Sequence, residues 1–133
     1  FKFTELQACI GIEQMKKLSW RVERKKEILK LYQQLLNNLD QVKFFNQDLI
    51  NTTPWFIDCL AEDREGLIKH LRSFDIGSRV MYPPINKQKA YDIEGEHAVS
   101  NILGKKGLWL PSASQLSDDE IHRICSEIEN FYK

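Results

Sequence analysis

Between Thr4 and Asn38 the chain has no proline and a single glycine, Gly11, and its first proline is Pro54. Drawn as one straight helix at 1.5 Å per residue, that stretch would be about 52 Å long. A compact chain of 133 residues has a radius of gyration of about 14 Å, hence a diameter of roughly 36 Å. The helix must therefore break, protrude, or both. Thr4 and Gln7 form a capping-box pattern at its start. Ser19–Trp20 is the predicted break, because the apolar stripe changes phase there and serine commonly caps helices. Beyond it, Ile28, Leu29, Tyr32, Leu35, Leu36 and Leu39 recur at the spacing of one helical face. Before it, Leu6, Cys9 and Ile10 lie on one side and Ala8, Ile12 and Met15 on the other. A small domain covers one such side, so the second is expected to meet another domain or subunit, with Gly11 permitting close approach. A central helix wrapped by its own domain is the alternative.

After residue 40 the pattern changes to short alternating elements. Strands are predicted over Val42–Phe45, over Trp55–Ala61 behind Pro54, over Ser78–Tyr82 up to Pro83–Pro84, and over Leu108–Leu110 up to Pro111. Asp63 caps a predicted helix carrying Leu67, Ile68, Leu71 and Phe74, which Gly77 ends. Residues 96–104 form a short helix closed by Gly104. Ser117 through Glu120 is a capping box opening a last helix whose buried face is Ile121, Ile124, Cys125, Ile128 and Phe131. The expected architecture is one domain over residues 1–133: a helical arm over 1–39 and a small α/β (α+β) sandwich over 40–133, with a sheet of three or four strands and helices on one face.

The 19 basic and 19 acidic residues cancel and interleave. That speaks against nucleic acid as a partner, since phosphate-backbone binding draws on an excess of Lys and Arg. No apolar run is long enough to span a membrane. The start Phe-Lys-Phe-Thr has neither an initiator Met nor a leader pattern, so the chain is expected to be part of something longer. Cys9, Cys59 and Cys125 are odd in number and far apart, which predicts small core residues in a reducing compartment and a cytoplasmic location. His70, His97 and His122 lack ligand spacing, so no metal is expected. Asn51-Thr52-Thr53 reads as a turn before a strand.

No nucleophile elbow, phosphate loop or dinucleotide fingerprint is present, so no catalytic residue is nominated. Gly104 and Gly107 around Lys105–Lys106 read as a helix end and turn. Arg21, Arg24, Lys25 and Lys26, interleaved with Glu23 and Glu27, read as a solvated helix face. Ser78 to Asn86 differs in kind: Arg79 is followed by Met81-Tyr82-Pro83-Pro84-Ile85-Asn86, a proline-stiffened loop that displays an aromatic and an amide directly after a strand.

Phe1 to Ala8 resembles the "N-[YF]-[RK]-x-[TS]-[DE]-[LI]-Q-A" segment of the DegT family of pyridoxal-phosphate-dependent sugar aminotransferases. Ile76 to Asn86 is similar to that family's "gI-x-[TS]-R-x-x-Y-P-P-[LI]-[HN]", and Leu108 to Ser112 to its "LPS" strand. All three lie in the family's order and spacing. The resemblance implies the small C-terminal domain of a fold type I enzyme (DegT/StrS), with the large domain, its Schiff-base lysine and most contacts to pyridoxal 5'-phosphate upstream. It implies a homodimer transferring an amino group from glutamate to a nucleotide-linked keto sugar. A non-catalytic dimerisation module and a related sugar dehydratase are the alternatives. In the family the basic residue of the first segment reaches the partner's cofactor phosphate, a place that Lys2 matches. The Tyr-Pro-Pro loop borders the sugar pocket, which implies substrate contacts for Arg79, Tyr82 and Asn86, with Asn86 standing where many members have His. No lysine here is in a context expected to desolvate it, so the chain alone is expected to be inactive.

Overall fold

The computed structural model describes residues 2–91 and 95–133; Phe1, which opens the first family-like segment, lies outside the described residues. Helix α1 (Glu5–Met15) starts at the expected cap, where the Thr4 hydroxyl accepts from the Gln7 N–H and the Gln7 side chain accepts from the Thr4 N–H at 2.9 Å. It is followed by α2 (Leu18–Leu35). The break thus falls at Lys16–Lys17, ahead of the predicted Ser19–Trp20. The Lys17 N–H reaches back to the Gln14 carbonyl at 3.1 Å, so one turn tightens while the backbone groups stay paired, and no serine cap is needed.

None of the residues of α1 is buried. Leu6 is 73% and Met15 65% exposed, and Cys9 is exposed rather than a core residue. The expectation that the chain covers one side of this helix is corrected: it covers neither. Cys59 and Cys125 are buried as expected.

The remaining elements are β1 (Val42–Phe44), β2 (Ile57–Ala61), α3 (Arg64–Ser73), β3 (Arg79–Val80), α4 (Ala98–Lys106), β4 (Gly107–Leu110) and α5 (Asp118–Tyr132). The four strands form one sheet in the order β1-β2-β4-β3, each neighbour antiparallel. Since β4 pairs with both, β2 and β3 run parallel on either side of it.

Strand alternation splits this sheet into two unlike faces. Val42, Ile57, Cys59, Ala61, Leu108 and Leu110 point into one core with Ile28, Leu29, Tyr32 and Leu36 from the α2 stretch, Leu67 and Leu71 from α3, and Ile121, Ile124, Cys125 and Ile128 from α5. The apolar stripe read from the sequence of α2 is this contact. The α/β sandwich is therefore present, with α2, α3 and α5 filling one face.

Two helix ends differ from expectation. Helix α3 ends not at Gly77 but through Asp75, whose φ is 58°. The Ile76 N–H bonds the Leu71 carbonyl at 2.9 Å and the Asp75 N–H bonds that of Arg72, a Schellman end in which Asp takes the left-handed place. Helix α4 runs through Gly104 to Lys106. A Cβ on Gly104 would lie 2.5 Å from Pro84, and one on Gly107 would lie 2.4 Å from Met81 Sδ. Both glycines let the Met81–Pro84 segment lie directly on α4 and the start of β4, a packing role that outweighs helix propensity.

Replacing Ile12 and Met15 with Lys is expected to leave the far-UV circular dichroism and the urea midpoint within the small range of surface changes. Ile128→Ala should lower stability by about 2–5 kcal/mol. Unfolding of the double variant would place α1 in the core.

Candidate functional site

The outer face of the sheet is occupied by a cluster centred on Trp109. Register places Asp58 of β2 and Arg79 of β3 beside it on the two flanking strands. Trp109 is 6% exposed yet stands apart from the main core. Its indole N–H donates to Asp58 Oδ1 at 2.6 Å. Its ring stacks on Phe56, with centroids 4.1 Å apart and planes 12° apart. The Arg79 guanidinium carbon lies 5.6 Å from the ring centroid, and the Tyr82 ring meets it edge-on at 4.9 Å.

This arrangement follows from the local sequence. Phe56 and Asp58 alternate with the inward Ile57 and Cys59, and Trp109 alternates with the inward Leu108 and Leu110, so the outward positions carry the large or polar groups. Burial raises the Asp58 carboxyl above its ordinary value, and the indole hydrogen bond pulls it part of the way back. The Gln47 amide lies 3.5 Å from the second carboxylate oxygen.

Arg79, predicted from sequence, sits on this face and is exposed. Among the described residues it has no carboxylate partner, only the Trp109 ring. Tyr82 is 69% exposed at the start of the proline loop. Asn86 follows in a 3₁₀ turn, half-buried, its amide 3.5 Å from Asn101 Oδ1 of α4. Arg79 and Tyr82 are thus joined through Trp109, and Asn86 is tied to the brace under their loop. Lys2 is not brought to this cluster: it lies exposed ahead of α1, with no hydrogen-bond or ion-pair partner among the described residues.

Sequence reasoning passed over Asp58, Trp109 and Phe56. The signal was there, because Asp58 is the one charged residue between Trp55 and Ala61 and a carboxylate in a buried strand requires a partner.

Two readings of the basic run are corrected. Arg24 is not merely solvated: it donates at 2.7 Å both to the Leu116 carbonyl and to Asp118 Oδ1. Lys25 is desolvated, contrary to expectation, and burial lowers its pKa below the ordinary lysine value. Its ammonium donates to the Trp55 carbonyl at 2.7 Å, the Ser112 carbonyl at 2.7 Å and the Ser112 hydroxyl at 3.1 Å. Three donors meet three acceptors, so this lysine is held charged as a latch between α2 and the strand ends. The loops that close over it are far away in sequence, which is why the sequence hid the burial.

The sequence profile of the DegT/DnrJ/EryC1/StrS aminotransferase family matches residues 1–129. The chain is 32% identical to a GDP-perosamine synthase of Escherichia coli O157:H7 over 136 residues, covering 99% of this chain and 37% of that enzyme. A DegT DnrJ EryC1 StrS aminotransferase from Brucella abortus superposes with a TM-score of 0.83 at 28% identity, over 94% of this chain and 35% of that one. DesV of S. venezuelae superposes with a TM-score of 0.87 at 19% identity, a likeness of fold, over 99% of this chain and 37% of its own. The chain thus spans little more than a third of the length of these relatives.

The Asp58 carboxyl, raised in the folded state, favours folding fully only below its ordinary value of 3.8, and that contribution is lost as pH rises through the raised value. Asp58→Asn keeps an acceptor for the indole and removes the buried charge. It should therefore be more stable than the parent to urea at neutral pH, with the advantage vanishing below pH 3.8. An equal or lower midpoint at neutral pH would show that the charge itself is needed.

Proposed function

The chain belongs to the DegT/DnrJ/EryC1/StrS aminotransferase family, and we propose that it forms the small domain, and part of the dimer contact, of an enzyme that transfers an amino group from glutamate to a keto group of a nucleotide-linked sugar. The observation that carries this reading is Arg79. The segment that resembles the family's substrate loop is the one displayed on the outer sheet face, and its cation is left without a counter-ion among the described residues. A cation held in place and not neutralised is suited to an anionic substrate.

The family cofactor is pyridoxal 5'-phosphate, which supplies the carbonyl carbon through which the amino group passes. The residues of this chain fit only the edge of such a site. Burial lowers the pKa of Lys25, but its three protons are taken by two carbonyls and a hydroxyl. A lysine serving the reaction needs a free lone pair, so that group has to come from another part of the enzyme. Lys2, exposed and unpartnered among the described residues, suits a contact to the cofactor phosphate of the partner subunit. As a lysine it offers a point charge rather than a bidentate grip. Tyr82 and Arg79 then bind the sugar nucleotide, and Asn86 lies at the rim of that pocket.

The uncovered faces of α1 suit the remainder of the enzyme and a second copy. No helix among the described residues is long and apolar enough to cross a membrane. The unpaired cysteines suit a reducing compartment, and we place the enzyme in the cytoplasm.

Two outcomes test the reading. This chain by itself, mixed with pyridoxal phosphate and treated with borohydride, should yield no single stoichiometrically modified lysine on peptide mapping; one such lysine would overturn it. In the complete enzyme, Lys2→Ala should weaken cofactor retention by about tenfold or more, the size of a charge-assisted contact, with the sugar KM nearly unchanged, and Tyr82→Ala should do the reverse. An equal shift of the same parameter by both would refute the division of labour.

A further inference from the structure

The groove beside Trp109 is lined by donors without an acid. It has a volume of about 290 Å³ and its walls include Phe56, Ser78, Arg79, Trp109 and Ser112. The Ser78 hydroxyl is buried and has no hydrogen-bond partner among the described residues. A buried hydroxyl left unpaired is costly and calls for an explanation, of which an absent ligand is one. The Ser112 hydroxyl accepts from Lys25 at 3.1 Å, which leaves its own proton free to be donated. Arg79 completes the set. Packing its guanidinium on the Trp109 ring uses the π-face of the cation and leaves its in-plane N–H groups available. Arg24 and Arg64, by contrast, pair with carboxylates, on Asp118 at 2.7 Å and on Glu65 at 2.8 Å, while Arg21 and Arg123 bond the Gln14 amide and the Phe74 carbonyl.

We infer that Arg79, Ser78 and Ser112 form an oxyanion subsite on the outer sheet face that takes the diphosphate of the nucleotide-linked substrate, with Asp58 acting through Trp109 to position Arg79. A planar carboxylate is satisfied by the two parallel donors of one arginine. Adding hydroxyls from Ser78, just ahead of β3, and from the segment after β4 suits a phosphoryl group, whose oxygens point in several directions. The groove is small for a whole nucleotide sugar and sized for part of one, so base and sugar extend beyond it. Asp58 fixes the indole from β2 and Phe56 backs the ring, so the surface on which Arg79 rests is held from the far strand. That the oxyanion is a substrate diphosphate rests on the function proposed above; the subsite itself does not.

The test is calorimetric titration of the complete enzyme, saturated with pyridoxal phosphate, with inorganic pyrophosphate. Pyrophosphate should bind. Arg79→Gln should weaken it by about tenfold or more and Ser78→Ala by about threefold, with Arg79→Lys in between and the affinity for glutamate unchanged throughout. Asp58→Ala should weaken pyrophosphate binding, and Asp58→Asn, which keeps the acceptor, should restore it, with a melting temperature no lower than that of the parent. Four results overturn the inference: no binding, equal binding by Arg79→Gln, a parallel loss of glutamate affinity that makes the site a carboxylate site, or competition by pyridoxal phosphate that makes it the cofactor's. Wild-type behaviour of Asp58→Ala overturns the positioning role. Arg79-dependent pyrophosphate binding in an enzyme that aminates no nucleotide-linked sugar would overturn the assignment to substrate while leaving the oxyanion subsite standing, which separates the two claims.

Discussion

The hydrogen bond from the Trp109 indole to Asp58, 2.6 Å across β4 and β2, is the contact on which the outer face of the sheet depends. A tryptophan at an outward strand position has a large apolar body and one polar atom, and it stays fixed only where both are served. Phe56 serves the body and Asp58 the N–H. The ring so anchored becomes a surface for Arg79 and an edge for Tyr82. Removing the acid would free the ring to turn, and the two groups that touch it would lose their common reference. The cost is a carboxylate partly withdrawn from water, which is why its pKa rises.

The opposite face makes that cost tolerable. The three helices α2, α3 and α5 and the inward strand residues form one contiguous core, so the sheet is held rigidly from behind. Burying side chains such as Ile57, Leu67 and Ile128 at 0% exposure contributes about 1.5–3 kcal/mol each before entropy is subtracted. Against such contributions a single unfavourable carboxylate is minor. Lys25 joins the two halves of this arrangement. It ties α2, from the core side, to the chain entering β2 and leaving β4, which are the ends of the strands that carry the outer cluster.

Much of this could be read in the sequence where a local rule decides. Thr4 and Ser117 cap helices because their hydroxyls and the glutamine or glutamate three residues on satisfy each other's N–H groups within one turn. The α2 stripe and the α5 stripe are likewise local periodicities. Where a partner distant in sequence decides, reading failed. Gly104 reads as a helix end, yet its lack of a Cβ answers to Pro84 twenty residues away. Lys25 reads as solvated, yet Ser112 lies over it. Arg79 and Tyr82 could be picked out from their loop, and Asp58 stood out as a lone charge in its strand, but that Trp109 joins them could not be read, because cross-strand register is not written in either strand alone.

Helix α1 shows the reverse case, a local pattern whose meaning is not local. Its apolar residues on two sides predict cover on both, and the described residues supply neither: Ile12 is 59% and Ile10 57% exposed. Leaving these aside, the surface is rich in paired charges that cancel overall, so there is no electrostatic reason for this helix to seek a charged partner. What it lacks is apolar contact area, and the capping box at Thr4 holds it helical without that contact. A preformed helix loses little backbone entropy on docking, whereas a segment that folded only on contact would lose about 1–2 kcal/mol per residue. The cap at Thr4 therefore holds α1 helical although none of the helix's residues is buried against the rest of the chain.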